Sequence, residues 1–187
     1  MNVSKLQKVR AIEARKILKK VDTLDMGGAD GWLISQALNP ERVTVIDLNK
    51  DALEKNPCKN KIYGNFIKNN LENESFNQVS LFEVIEHIKE KEDRIKVFSE
   101  ANRLLKKGGR FVISTPNYER LSTQLRKVLG KRRKYPYPVA GGKGVAHTDW
   151  HYFEYSEELI RKDLEKAGFS KIKTHCRFIQ IPYFRIF

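Results

Sequence analysis

Cysteine is scarce: the chain has only Cys58 and Cys176. Two thiols make neither a disulfide framework nor a metal cluster, and they read as reduced thiols of a cytoplasmic protein. Long hydrophobic runs are missing too. No apolar stretch approaches the ~18 residues of a membrane span. The first twenty residues, MNVSKLQKVRAIEARKILKK, are charged throughout and lack the apolar core of a secretory signal. Internal repeats and low-complexity tracts are absent. Acidic residues are few: 23 against 36 Lys and Arg, for a net charge of +13. That excess points to a polyanionic partner or to a generally lysine-rich surface.

What is present is an alternation. Short apolar runs at Val21 to Asp25, Val43 to Asp47, Lys61 to Tyr63, Gln78 to Phe82 and Arg110 to Ser114 read as strands. Helical patterns lie near Ser4 to Lys19, Gly31 to Leu38, Asp51 to Lys55 and Glu90 to Leu105. Such alternation predicts an α/β fold with a parallel sheet covered by helices. In the leading helix Leu6, Val9, Ile12 and Ile17 share one predicted face. Lys106 and Lys107 suit the C-terminal dipole of the Glu90 helix, and Gly108 can cap it. Residues 117 to 148 break the rhythm with a helix over Asn117 to Leu129 and a loop rich in Lys, Arg, Pro and Gly. Ser156 then caps a helix through Lys166, Gly168 ends it, and Ile172 to Phe178 and Ile179 to Phe187 read as closing strands. The length suits a single domain, residues 1–187, with a substrate-facing basic insertion at about 117–148.

The segment Asp25-Met26-Gly27-Gly28-Ala29-Asp30-Gly31 joins a strand to a helix. Glycines permit positive φ and close backbone approach to a ligand, and the helix start offers unpaired N–H groups. The spacing is not the G-x-G-x-x-G of a dinucleotide site, nor does a Gly-Lys-Ser/Thr phosphate loop follow. A nucleoside ligand without a pyrophosphate fits better. The segment resembles the first motif of class I S-adenosylmethionine-dependent methyltransferases (type 11/23-like), acid-x-Gly-x-Gly-x-Gly. Asp25, Gly27 and Gly31 match, and Ala29 replaces the middle glycine. Asp47 ends the second strand about 20 residues on, where an acid can accept both ribose hydroxyls. Further along, Gly64-Asn65-Phe66, the segment EVIEHI from Glu83 to Ile88, and LLKKGGRFVISTPN from Leu104 to Asn117 are similar to later family segments.

The resemblance implies a Rossmann-like doubly wound sheet of order 3-2-1-4-5-7-6, helices on both faces, and S-adenosyl-L-methionine as cofactor. It implies cofactor contacts from Asp25, Gly27, Ala29, Gly31, Asp47, Leu48 (against adenine), Asn65, Phe66 and Glu83. Methyl transfer from a sulfonium is an in-line displacement, so alignment and exclusion of water matter most. A base is needed only when the acceptor holds a proton of high pKa. His151 and His147 are candidates for that role. The stretch from Arg120 to Thr148 carries eight Lys or Arg and no acid. Lys131, Arg132 and Arg133 within it, and Tyr118 just before it, are candidate substrate contacts, for a small-molecule or anionic acceptor. The expected acceptor is an O or N nucleophile of a small molecule, glycan or lipid precursor.

A second resemblance competes. Glu83, Glu86, His87 and His151 are similar to the metal ligands of small-RNA 3′-terminal 2′-O-methyltransferases, in which a divalent ion lowers the pKa of a ribose hydroxyl and orients it. On that reading RNA is the partner. A third possibility is a non-catalytic cofactor-binding module, motivated by Ala29 and Asn65.

Overall fold

The computed structural model describes residues 5–119, 121–130, 135–138 and 150–175. The chain forms two compact units, Met1–Phe82 with Lys96–Ser114, and Glu83–Ile95 with Thr115–Phe187.

The first unit holds a parallel sheet of β1 (Thr23–Met26), β2 (Val43–Asp47), β3 (Asn60–Tyr63), β4 (Phe76–Phe82) and β5 (Leu105–Ser114), in the order β3-β2-β1-β4-β5. This is the Rossmann-like order expected for the first five strands. The central strand β1 is buried along its whole length, as a parallel strand covered on both faces should be. Helix α1 (Lys5–Ile17) precedes β1, while α2 (Trp32–Ser35), α3 (Lys50–Lys55) and α4 (Lys91–Leu104) lie in the connections β1 to β2, β2 to β3 and β4 to β5. Ala14, Leu18, Ile34, Leu38, Val43, Val45, Leu53 and Val112 form one buried cluster. Polar Gln78 is also fully buried, and it is satisfied. Its side-chain amide donates to Thr23 Oγ1 and its oxygen accepts the Lys19 N–H at 3.0 Å each.

Two local expectations are corrected. In α1 the buried positions are Ala11 and Ala14, and Ile17 packs partly buried against the core, while Val9 and Ile12 stay 37% and 48% exposed. The small alanines take the packed face in place of Val9 and Ile12. The end of α4 also differs. Leu105 already pairs with Phe76, and Arg110 pairs with Gln78, so the register shifts between them. Lys106, Lys107, Gly108 and Gly109 thus stand against the single Asn77 of β4, and Gly108 at φ 75° belongs to this irregularity rather than to a helix cap.

The second unit contains a 3-10 turn at Ile85–His87, α5 (Leu121–Val128), a two-stranded antiparallel ribbon of β6 (Tyr137–Pro138) and β7 (Trp150–His151), and α6 (Glu157–Lys166). Ser156 caps α6 by accepting the Leu159 N–H at 3.3 Å, as the sequence predicts. Residues 172–175 take no strand pairing, and the expected closing strand beyond them lies outside the described residues. No helix among the described residues is long and apolar enough to cross a membrane.

Candidate active site

The loop after β1 is fixed by its own backbone and by side chains from two other elements. Asp25 is buried at the end of the strand, beside Ser80 in the register of β4. The Ser80 hydroxyl donates to Asp25 Oδ1 at 2.6 Å. Burial nevertheless pushes the Asp25 carboxyl up to about 7, Ser80 opposing and the nearby Asp47 charge adding to the rise. Gly27 turns the chain at φ 73°, and its N–H donates to the Ile46 carbonyl at 2.8 Å. A Cβ on Gly28 would stand 2.5 Å from Asp25 Oδ2 and 2.6 Å from Val45 Cγ2. No side chain fits there, a steric demand that the sequence motif does not single out.

Ala29 sits at φ 43°, a left-handed conformation in which a Cβ is strained. Two clamps hold it. Its N–H donates to Asp47 Oδ2 at 2.8 Å, and its carbonyl accepts from the buried Asn56 Nδ2 at 2.8 Å. Asn56 Oδ1 in turn accepts the Cys58 N–H at 2.9 Å. Gly31, at φ 69°, could not carry a Cβ, which would meet the Asn56 amide at 2.5 Å. Asn56 is thus a loop-shaping residue absent from the sequence reading. Its only local signal is the Asn-Pro step after α3.

Asp47 ends β2 next to this loop. Its Oδ1 accepts the Asn49 N–H at 2.7 Å, and its main-chain carbonyl accepts the Gly64 N–H at 3.0 Å. The fold thereby gathers Asp25, Gly27, Ala29, Gly31 and Asp47 at the C-terminal ends of β1 and β2, where open α/β sheets bind ligands. Leu48 follows Asp47 and is 59% exposed. Asn65 closes a turn by accepting the Ile67 N–H at 2.8 Å. Phe66 is buried. Glu83, in the second unit, has φ 55°.

In the second unit the segment 150–155 is stitched to the 3-10 turn. The Tyr152 N–H donates to the Glu86 carbonyl at 2.9 Å. His87 Nδ1 lies 2.8 Å from the Trp150 carbonyl oxygen, so that nitrogen carries the proton and Nε2 the lone pair. His151 Nδ1 lies 2.8 Å from the Tyr137 hydroxyl and 3.3 Å from Glu154 Oε1. Tyr137 donates its own proton to Glu154 Oε1, and Tyr135 donates to Oε2 at 2.9 Å. Glu154 is buried under these two phenols. The relay therefore runs from the His151 Nδ1–H through Tyr137 to a carboxylate, and it leaves Nε2 of His151 as the basic atom. The pairing of Tyr137 with Glu154 spans the insertion, so no sequence pattern announces it.

Buried Glu86 accepts from Thr115 Oγ1 at 3.0 Å. Donor atoms of Glu86, His87 and His151 all lie within 4.8 Å of one another. Three members of the four residues that the competing RNA-methyltransferase resemblance implies thus come together; Glu83 is not in the group. Two imidazoles and a carboxylate suit zinc or a related divalent ion, whose ligand distances are about 2.0–2.2 Å. The tethered Nδ1 atoms match the outer hydrogen bonds that orient such ligands. Tyr118, the first residue after Asn117, joins the ring series Tyr118–Tyr135–Tyr137–His151 at centroid distances of 6.4, 5.5 and 5.1 Å. His147, Lys131, Arg132 and Arg133 lie outside the described residues.

Comparison with known proteins bears on the family and the fold. Residues 4–174 match the family described as a methyltransferase domain. No curated protein sequence matches the chain. Among solved structures, a methyltransferase from Thermotoga maritima, described as a possible histamine N-methyltransferase, is 17% identical. The match covers 88% of this chain and 72% of that one, with a TM-score of 0.65. One from Archaeoglobus fulgidus is 18% identical over 89% and 71% of the two chains, also at 0.65. Phosphoethanolamine N-methyltransferase 2 of Haemonchus contortus, solved with S-adenosyl-L-methionine, is 21% identical over 91% of this chain and 38% of that one, at 0.58. With the family matched over nearly its whole length and the five-strand order in place, the chain belongs to the class I S-adenosylmethionine-dependent methyltransferases.

Proposed function

We propose that this enzyme, read as one domain over residues 1–187 and working in the cytoplasm, transfers a methyl group to an O or N nucleophile of a small molecule, glycan or lipid precursor. The observation that carries this reading is the relay of His151, Tyr137 and Glu154. A buried carboxylate that orients an imidazole is machinery for taking a proton, which hydroxyl and ammonium acceptors must lose and a thioether or carbanion need not. His151 Nε2 takes the acceptor proton, while Glu154 stabilises the resulting imidazolium through Tyr137. S-adenosyl-L-methionine, when bound, supplies an electrophilic methyl carbon on a sulfonium.

The same reading assigns the cofactor to the loop of Asp25, Gly27, Ala29 and Gly31. Each Asp47 carboxylate oxygen already accepts one backbone N–H and keeps a second lone pair for a ribose hydroxyl. Exposed Leu48 offers an apolar surface to adenine, and the Asn65 amide hydrogens can donate to its edge. Phe66 and Glu83 complete the assigned cofactor residues. Tyr118 is assigned to the acceptor, as are Lys131, Arg132, Arg133 and His147 on sequence grounds alone. The test is turnover of S-adenosyl-L-methionine to S-adenosylhomocysteine with a panel of hydroxyl and amine acceptors. His151→Gln should lower kcat about 100-fold or more without changing cofactor affinity. Equal kcat in the variant would remove His151 from the chemistry.

The proximity of the Glu86, His87 and His151 donor atoms favours a second reading. Those residues would hold a divalent ion that binds and acidifies a terminal ribose hydroxyl, making RNA the acceptor. Loss of activity on chelation, restored by a divalent metal, would select it over the first.

A further inference from the structure

The connection from β3 to β4 contains no helix. Parallel strands are usually joined through one, and a helix pairs most of its own backbone groups. Residues 64–75 form turns and open chain instead, so their polar groups must find partners elsewhere. Helix α4 supplies many of them, within the same unit of the fold. Its last carbonyls, those of Arg103 and Leu104, accept the Glu74 and Ser75 N–H groups at 2.9 and 3.0 Å.

The rest comes from one side-chain node. Arg103 and Glu100, one turn apart on α4, form a forked pair through Nε to Oε2 at 2.8 Å and Nη2 to Oε1. The other guanidinium hydrogens go to the connection. Nη1 donates to the Leu71 carbonyl at 2.8 Å and to Asn73 Oδ1, and Nη2 donates to Asn69 Oδ1 at 3.4 Å. All five guanidinium hydrogens therefore have an acceptor. Asn69 carries the node onward. Its Nδ2 donates to Glu100 Oε1 and to the Phe66 carbonyl, both at 2.8 Å. Phe66 lies inside the turn that Asn65 opens, where Asn65 Oδ1 accepts the Ile67 N–H at 2.8 Å and its carbonyl accepts the Lys68 N–H at 3.0 Å. With Oδ1 so engaged, the Asn65 side chain has its N–H hydrogens to offer a ligand.

We propose that Arg103 is a positioning residue for the methyl donor: through Asn69 it fixes the turn at Asn65–Lys68 and hence the Asn65 amide, which rests on the reading of Asn65 as a contact to the adenine edge. Hydrogen bonds weaken steeply with misalignment, so a donor on a helix-free connection needs an external brace. Lysine cannot replace the arginine. Its ammonium is a point charge with three donors and has no planar fork to match Glu100 while reaching Leu71, Asn73 and Asn69. A pair that served stability alone would leave cofactor affinity in the folded protein unchanged.

Calorimetric titration of S-adenosyl-L-methionine into the full chain, well below each melting temperature, tests this. The variants are Arg103→Lys, Asn69→Ala, Asn65→Ala, and Asn65→Ala combined with each of the other two. Asn69→Ala leaves the Glu100–Arg103 pair in place, so it carries the test even where Arg103→Lys fails to fold. Each single variant should bind about three- to tenfold more weakly. The double variants should bind no more weakly than Asn65→Ala, because Arg103 and Asn69 act through Asn65. Wild-type affinity in folded Asn69→Ala or Arg103→Lys would overturn the proposal, as would losses that multiply in the double variants. Wild-type affinity in Asn65→Ala would remove the adenine contact itself and the proposal with it, an outcome distinct from the other two.

Discussion

The backbone N–H of Ala29 donates to the side chain of Asp47 at 2.8 Å, across 18 residues of sequence. The acid at the end of β2 therefore shapes the loop. A second backbone bond, from Asn49, holds the other carboxylate oxygen. Asp47→Ala should thus cost stability in the absence of cofactor. The site is partly exposed, so the loss should be roughly 1 kcal/mol, measured by urea denaturation of the ligand-free protein.

Adjacent small residues in the loop should respond in opposite ways. Gly28→Ala forces a methyl to 2.5 Å from Asp25 Oδ2 and 2.6 Å from Val45 Cγ2. Such overpacking should destabilise the protein by about 2 kcal/mol and lower Tm by roughly 5 °C. Ala29→Gly relieves a strained φ of 43°, worth about 1 kcal/mol, but frees the unfolded chain by a similar amount. Its Tm should stay close to wild type. Thermal melts of the two variants make the comparison.

Asp25 gives a stability component with an unusual sign. Its carboxyl titrates near 3.8 when unfolded and about 7 in the fold, so the native state binds the proton more tightly between those values. Stability from this group is fully present below pH 4, falls as pH rises toward 7, and is flat above it. The total is on the order of a few kcal/mol. Asp25→Asn can still accept from Ser80 and cannot ionise. Urea denaturation at pH 5 and pH 8 should show a smaller drop for the variant than for wild type; equal drops would contradict the assignment.

Glu154→Gln keeps the volume of the buried side chain and removes its charge. The imidazolium formed at His151 would lose its stabilising carboxylate, so kcat should fall about 10- to 100-fold while KM for S-adenosyl-L-methionine holds. A chelator should leave wild-type kcat unchanged on the first functional reading and abolish it on the second.

Much of this was legible residue by residue. Val43 to Asp47 is a run of buried strand formers ended by an acid, and the strand has those bounds. Asp47 and the glycines could be placed because turn geometry and strand ends are local properties. The end of α4 was misread because Lys106 to Gly109 satisfy a helix-end pattern, while pairing with β4 draws Leu105 into the sheet. The packed face of α1 was misread because alanine carries little hydrophobic signal and helix packing favours close approach. Asn56 and Glu154 act on partners 27 and 17 residues away, Ala29 and Tyr137. Such pairings exist only once the chain has folded, so no local pattern announces them.

The central claim is that the loop after β1 and the acid after β2 hold the methyl donor. Calorimetric titration of S-adenosyl-L-methionine into wild type and Asp47→Ala tests it most directly. Wild type should bind with micromolar affinity, and the variant should bind at least about tenfold more weakly because the ribose hydroxyls lose a charged acceptor. Equal affinity in a folded Asp47→Ala protein would contradict the account.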